Sequence, residues 1–224
     1  MVKNLTVKFV EEAYTIGLQP HLIKEGKKIC ENQYQVLQSR PDFLKLLIDF
    51  QNTLPDAASH QALTSFFAAV ITSNVEWASK RTVELVTFGA LFHDIGKLKL
   101  PHEIRNLKTE DMTKEQLKLY KQHPLFGMEM LSRCSGITEP ILQIVYQHHE
   151  YVNGEGFPNG LKSNRIYPLA QIVALADEFA KFLETHKEPP IKVLEHFVMN
   201  RNNILRFDPT AVKSLLLSFQ NRRK

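Results

Sequence analysis

Cysteine is scarce in this chain of 224 residues. Cys30 and Cys134 stand alone, with no CxxC pair and no spacing dense enough for a disulfide framework, which fits a reducing compartment. No apolar run reaches the ~18 residues of a membrane span. The N-terminal stretch MVKNLTVKFVEEAYTIGLQ has no signal-peptide apolar core. The expectation is a cytoplasmic chain with no membrane partner. Strand-like alternation, internal repeats and low-complexity tracts are also missing. The net charge is +4, but no Lys/Arg stripe interleaves with aromatics, which argues against duplex nucleic acid and leaves attraction for phosphate-bearing ligands. A composition of 43% hydrophobic and 23% charged residues supports a sizeable core rather than disorder.

What is present is helical periodicity. Residues 1–20 are ambiguous, and LTVKFV has the composition of a short strand. Residues 21–53 read as one long amphipathic helix, with Ile23, Ile29, Leu37, Phe43, Leu44, Leu47 and Ile48 broadly at helical spacing and Pro41 as a kink or restart. A helix begins after Pro55, and another spans 82–95 with Gly96 as its terminating residue. TKEQ at 113–116 resembles a capping box, and Pro124 suits the first turn of a new helix. Thr138 and Pro140 open a helix that ends in YQHHE. Residues 151–166 form a Gly/Pro/Asn loop, 168–185 are helical again, and Asp208-Pro209 caps the last helix. The expected fold is all-α, with an N-terminal helical segment at 1–53 and a main domain at 54–224. The long N-terminal helix is a candidate for docking or oligomer formation.

Five of the nine histidines form a pattern. His60, His93, His123, His148 and His149 lie within or at the ends of apolar helices, and Asp94 and Asp177 occupy similar places. Burying five imidazoles and two carboxylates without partners costs several kcal/mol. A bound metal removes that cost, because it takes neutral imidazole and ionised carboxylate as ligands. Helical neighbours point ~100° apart, so the adjacent pairs His93-Asp94 and His148-His149 fit helix ends better than helix interiors. Asp94 is then placed to bridge two ions. Such a set suits two metals ~3.5–4 Å apart for phosphoester hydrolysis. Histidine and carboxylate donors without thiolate favour iron, manganese or another divalent ion.

The ordered motifs HDIGK, HP with a glycine three residues on, HHE, NGEGFPNGL and an AD dipeptide resemble the HD-GYP branch of the HD superfamily. The resemblance runs from about Pro55 to RFDP at 206–209. It implies a helical bundle that hydrolyses cyclic di-GMP with two or three metals. It also implies that His60, His93, Asp94 and Asp177 hold one metal, and that Asp94 bridges to a second held by His123, His148 and His149. By the same resemblance Lys97 contacts phosphate or stabilises developing charge, and Asp56 stands where some members bind a third metal. Glu150 reads as a buried partner that orients a histidine.

The chain departs from the family pattern on the substrate side. The signature loop has Asn153 and Phe157, so its aromatic ring lacks a hydroxyl. Arginine is missing shortly after His60. After Asp177, EFAKFLETHKEPP leaves His186 and Lys187 roughly where substrate-binding cations belong, with Gly154 and Phe157 the loop's contribution. The expected activity is a metal-dependent phosphodiesterase acting on cyclic di-GMP or a related phosphodiester. The alternative is a catalytically weak or inactive signalling module that holds metal and binds a nucleotide or a protein partner.

Overall fold

The computed structural model describes residues 2–39, 47–48, 57–105 and 107–220. Among these residues the fold is all-α, and the only pairing of extended backbone is an isolated bridge between Asn153 and Lys162. The first helix, α1, spans Val2–Ile16, so the stretch with strand-like composition is helical. The reason is packing: Thr6, Phe9, Val10 and Ala13 recur at helical spacing and are all buried. Helix α2 runs Pro20–Gln38, with a proline in its first turn. Leu47 and Ile48 are helical as well, whereas Pro41 and most of the remaining expected helix lie outside the described residues.

Helix α3, Ala57–Thr72, is the centre of the bundle. From Ala58 to Thr72 every residue except His60 is buried. Such a helix has no solvent face, and it packs against α1, α2, α4 (Lys80–Leu91), α9 (Pro168–Thr185) and α12 (Pro209–Gln220). A reciprocal cap between Ser79 and Thr82 starts α4. That helix stops at Leu91, four residues earlier than its periodicity implies, and Ile95–Lys99 follow as a 3-10 turn. Gly96 is therefore not a helix terminator. It sits inside the turn, where a Cβ would overlap the His123 carbonyl and the Gly127 amide. The remaining helices are α5 His102–Arg105, α6 Lys114–Tyr120, α7 His123–Ser132, α8 Glu139–Gln147, α10 Pro190–Met199 and α11 Arg201–Ile204. The capping box opens α6 through Thr113 and Gln116, and Asp208 accepts from the Ala211 amide at the start of α12.

Two apolar clusters fill the bundle. One joins α3, α9, α10 and α12, with Phe179 edge-on to Phe67 at 4.8 Å and to Phe197 at 5.1 Å. The other joins α1 and α2 to α4 and α8, where Phe9 meets Phe92 edge-on at 5.8 Å. The N-terminal helices thus use their apolar faces inside the chain's own core. Phe9→Ala should cost about 3–5 kcal/mol in urea unfolding, as for an aromatic lost from a packed core. A cost below about 1 kcal/mol, the scale of an ordinary surface substitution, would contradict the packing of α1.

Candidate metal centre

The seven nominated imidazole and carboxylate groups come from five helices, all but Asp177 from at or near a helix end. His60 stands in the first turn of α3, and His93 and Asp94 follow the end of α4. His123 opens α7, His148 and His149 follow α8, and Asp177 projects from the middle of α9. The close approach at Gly96 brings the HDIGK turn onto the backbone of His123. Asp56, the nominated third-metal ligand, lies outside the described residues.

Three histidines are oriented by one local device. His93, His123 and His148 each direct Nδ1 at the backbone carbonyl three residues earlier: Ala90 at 2.7 Å, Tyr120 at 2.8 Å and Val145 at 2.7 Å. A carbonyl only accepts, so Nδ1–H donates and Nε2 carries the inward lone pair. The Nε2 atoms of His123 and His148 lie 3.1 and 3.7 Å from Asp94 Oδ1. His60 Nε2 is 2.8 Å from Asp177 Oδ1, and His93 Nε2 is 3.5 Å from the same oxygen and from Asp94 Oδ2. The result is two groups of metal-ligating atoms, Asp94-His123-His148-His149 and His60-His93-Asp177, each with its atoms within 4.8 Å of one another. Asp94 belongs to one group and turns its second oxygen toward the other.

The donor set fits metal. Asp94 is 1% exposed, and His93, His123, His148 and Asp177 are fully buried. His93 Nε2, Asp94 Oδ1 and His149 Nε2 are buried with no hydrogen-bond partner. A cation in each group offers such buried, unpartnered atoms a partner. Protonation states agree. Burial lowers the pKa of His123 and His149, and lowers that of His148 to about 4, which keeps these rings neutral. Burial opposes ionisation of Asp94 and Asp177, but Lys97 beside Asp94 and Lys181 beside Asp177, with the neighbouring histidines, hold both well below the usual carboxylate range. His60 differs. Burial works against its charge, yet hydrogen bonds to Asp177 and Glu184 raise its pKa to about 9.

The HD-domain family model matches residues 45–211. The chain belongs to the HD-domain family. Among curated relatives, the Thermotoga maritima protein named cyclic di-GMP phosphodiesterase is 38% identical over 122 residues, covering 48% of this chain and 32% of that protein. The Xanthomonas campestris pv. campestris protein named cyclic di-GMP phosphodiesterase response regulator RpfG is 33% identical over 146 residues, covering 62% of this chain and 37% of that one. This chain therefore spans about a third of the length of these relatives. Among solved structures, Bd1817 of Bdellovibrio bacteriovorus, described as a HDG"Y"P protein, superposes with a TM-score of 0.80 at 20% identity over 98% of this chain and 70% of that one. The L. monocytogenes PgpH HD domain, solved in complex with cyclic-di-AMP, gives 0.50 at 19% identity over 71% of this chain and 85% of its own. The HD-GYP likeness of the ordered motifs is borne out.

Around the seven groups, this HD domain places the other nominated residues unevenly. Lys97 Nζ is 2.5 Å from Asp94 Oδ2 and 5.3 Å over the Tyr120 ring, so it faces the centre. The Phe157 ring lies 4.4 Å from that of His149, which covers one side of the centre, and Lys121 stands 5.5 Å over Phe157. Gly154 has φ +82°, a turn conformation that favours glycine, and Gly156 lets the loop approach the backbone of His149 to Tyr151. Glu150 is buried as expected but orients no histidine: its carboxylate accepts from the amides of Asn159 at 2.7 Å and Leu161 at 2.8 Å, tying down this loop. His186 stacks on Phe182 at 3.9 Å and directs Nδ1 to the Phe182 carbonyl at 2.7 Å, at the end of its own helix. Lys187 is exposed one residue further on.

Two contributors are not evident from motif matching. Glu184 places Oε2 3.1 Å from His60 Nδ1, and Lys181 places Nζ 2.6 Å from Asp177 Oδ2. Asp177, Lys181 and Glu184 are spaced i, i+4, i+7 on α9, so helical periodicity counted from Asp177 is the signal that finds them.

Because His60 alone among the shifted histidines is protonated at neutral pH, metal loading should release about one proton from it at about pH 7.5. Affinity at its group should rise about tenfold per pH unit and level off above pH about 9, since a proton held below that value must be displaced. Calorimetric titration of metal in buffers of different ionisation enthalpy measures this. Loss of the released proton in His60→Ala is the expected control, and a wild-type release of zero would contradict the assignment.

Proposed function

We propose that this HD domain is a metal-dependent phosphodiesterase acting on a cyclic dinucleotide or a related phosphodiester. The observation that carries the reading is the pair of ligand groups meeting at Asp94, with three buried donor and acceptor atoms otherwise unpartnered. Two metals are proposed, His60, His93 and Asp177 holding one and Asp94, His123, His148 and His149 the other. Donors without thiolate favour iron, with manganese or another divalent ion as substitutes. The curated names of the relatives supply the substrate class. Two free cysteines support a reducing, cytoplasmic setting, and among the described residues no helix is long and apolar enough to cross a membrane. Self-association through the N-terminal helices has to use their outer faces, since the inner faces are in the core.

When bound, the metals supply Lewis acidity toward the phosphoryl oxygens and toward water. The chain's own residues do the rest. Asp94 and Asp177 stay ionised and the histidines of the Asp94 group stay neutral, so the donors need little rearrangement to accept a cation. Lys97 is held against Asp94 with its side chain 20% exposed. It keeps N–H groups free for a phosphoryl oxygen and opposes charge that builds there. Phe157 shields the His149 side from water.

At the two positions near His60 and after Asp177 where the HD-GYP resemblance expects arginine to grip guanine and phosphate edges, the chain has none, and lysine lacks the planar fork. The loop ring is phenylalanine, without a hydroxyl. Cyclic di-GMP should therefore bind weakly and turn over slowly, while a small generic phosphodiester that needs only the metals and Lys97 reacts faster. A steady-state comparison of cyclic di-GMP with bis(p-nitrophenyl) phosphate tests this. Lys97→Met should lower the rate roughly 10²-fold or more, as for loss of an electrostatic stabiliser, with metal content unchanged. Submicromolar binding and fast turnover of cyclic di-GMP would overturn the substrate reading. Metals retained with no turnover of either compound would favour the signalling module.

A further inference from the structure

The two carboxylates of the centre share a division of labour that the HD motif does not require. Each turns one oxygen to imidazole and shares the other between a lysine and a more distant imidazole. Asp94 Oδ1 is 3.1 Å from His123 Nε2, and Asp94 Oδ2 is 2.5 Å from Lys97 Nζ. Asp177 Oδ1 is 2.8 Å from His60 Nε2, and Asp177 Oδ2 is 2.6 Å from Lys181 Nζ. Lys97 follows its carboxylate by three residues in the turn after α4, and Lys181 follows by four along α9. One lysine thus attends each metal group, from opposite elements.

From this geometry we infer that Lys181 is a second phosphate-gripping cation, paired with Lys97 across the centre, and that the pair holds the phosphoryl group where arginine forks are missing. The inference rests on the phosphodiesterase reading. Three observations support it. First, the Lys181 side chain is 38% exposed, so its ammonium lies at the boundary between the buried ligands and solvent. Second, an ammonium has three donors. Asp177 takes one at 2.6 Å and Glu178 lies 3.5 Å away, which leaves capacity for a further acceptor. Third, the two carboxylates that hold the lysines meet at one imidazole: His93 Nε2 is 3.5 Å from Asp94 Oδ2 and from Asp177 Oδ1, and the charge of Lys181 counts against that of Lys97. Two like charges over a centre that also takes metal cations make a place for an anion, and a phosphoryl group presents separate oxygens to both. Such a grip reads phosphate charge and is indifferent to the base.

The competing view is that Lys181 only neutralises buried Asp177. The two differ in what removal does. A neutralising lysine, once removed, leaves Asp177 poorly supported and should disturb the metal. A phosphate-binding lysine, once removed, leaves the metal in place or more tightly held, because Asp177 loses a competitor, and weakens the anion.

The test is calorimetric titration of inorganic phosphate into metal-loaded wild-type protein, Lys97→Met, Lys181→Met, the double variant and Lys181→Arg, with metal content measured on each. Lys181→Met should keep the wild-type metal ratio and weaken phosphate by roughly 10–100-fold, the scale of one charge-assisted hydrogen bond. Lys97→Met should lose a similar factor, and Lys181→Arg should retain most of the affinity. Wild-type phosphate affinity in Lys181→Met would overturn the inference, and so would loss of metal in that variant. If wild-type protein binds metal and hydrolyses a phosphodiester while Lys181→Met is indistinguishable from it, this inference fails alone. If wild-type protein binds neither metal nor phosphate, the phosphodiesterase reading fails with it.

Discussion

Five imidazoles and two carboxylates meet in the interior of a helical bundle, and four of them are fully buried. Groups of this kind are expensive to bury apart from one another. Their convergence therefore sets demands on the surrounding structure. Helices must end where a ligand is needed, because adjacent residues on a continuous helix point apart. The stop of α4 at Leu91 and the following 3-10 turn meet this demand for His93 and Asp94. Gly96 then allows the turn to reach the backbone of His123 at a distance that no side chain permits. The carbonyl three residues before each of His93, His123 and His148 fixes which nitrogen faces inward.

The support extends outward from these ligands. Glu150 secures the glycine-rich loop through two backbone amides, and that loop carries Phe157 over His149. On the other side, α9 offers Asp177, Lys181 and Glu184 along one face, so a single helix provides a candidate ligand, a cation and the carboxylate that orients His60. The charge pattern is consistent across the centre. The Asp94 group presents neutral rings around an ionised oxygen, while in the other group hydrogen bonds to Asp177 and Glu184 favour a protonated His60. The two groups are similar in donor type and different in how they exchange with solvent protons.

Much of this is legible in the sequence, for identifiable reasons. Helix starts with side-chain caps or early prolines are local signals, and Thr113, Pro124 and Asp208 mark boundaries that the structure keeps. Long apolar periodicity fixes α9 at 168–185. The ordered histidine motifs nominate a ligand set that the fold brings together. Other features depend on tertiary packing. LTVKFV becomes helical because this stretch packs on α2 and α3 and Phe9 meets Phe92, which no local propensity reveals. Gly96 has the composition of a helix stop but serves as a point of close approach to a segment 27 residues away, counted from Gly96 to His123. Lys181 and Glu184 carry no motif, and only the position of Asp177 on a regular helix gives them meaning.

The central claim is that the seven groups form one binuclear centre held together at Asp94. Elemental analysis of protein purified without chelator, set beside the same measurement on Asp94→Ala, addresses it most directly. The account predicts about two metal ions per wild-type chain, or more, and loss from both groups in the variant, since a carboxylate that faces both groups screens two like charges. A wild-type ratio near one, or an Asp94→Ala protein that retains its full complement, would contradict it.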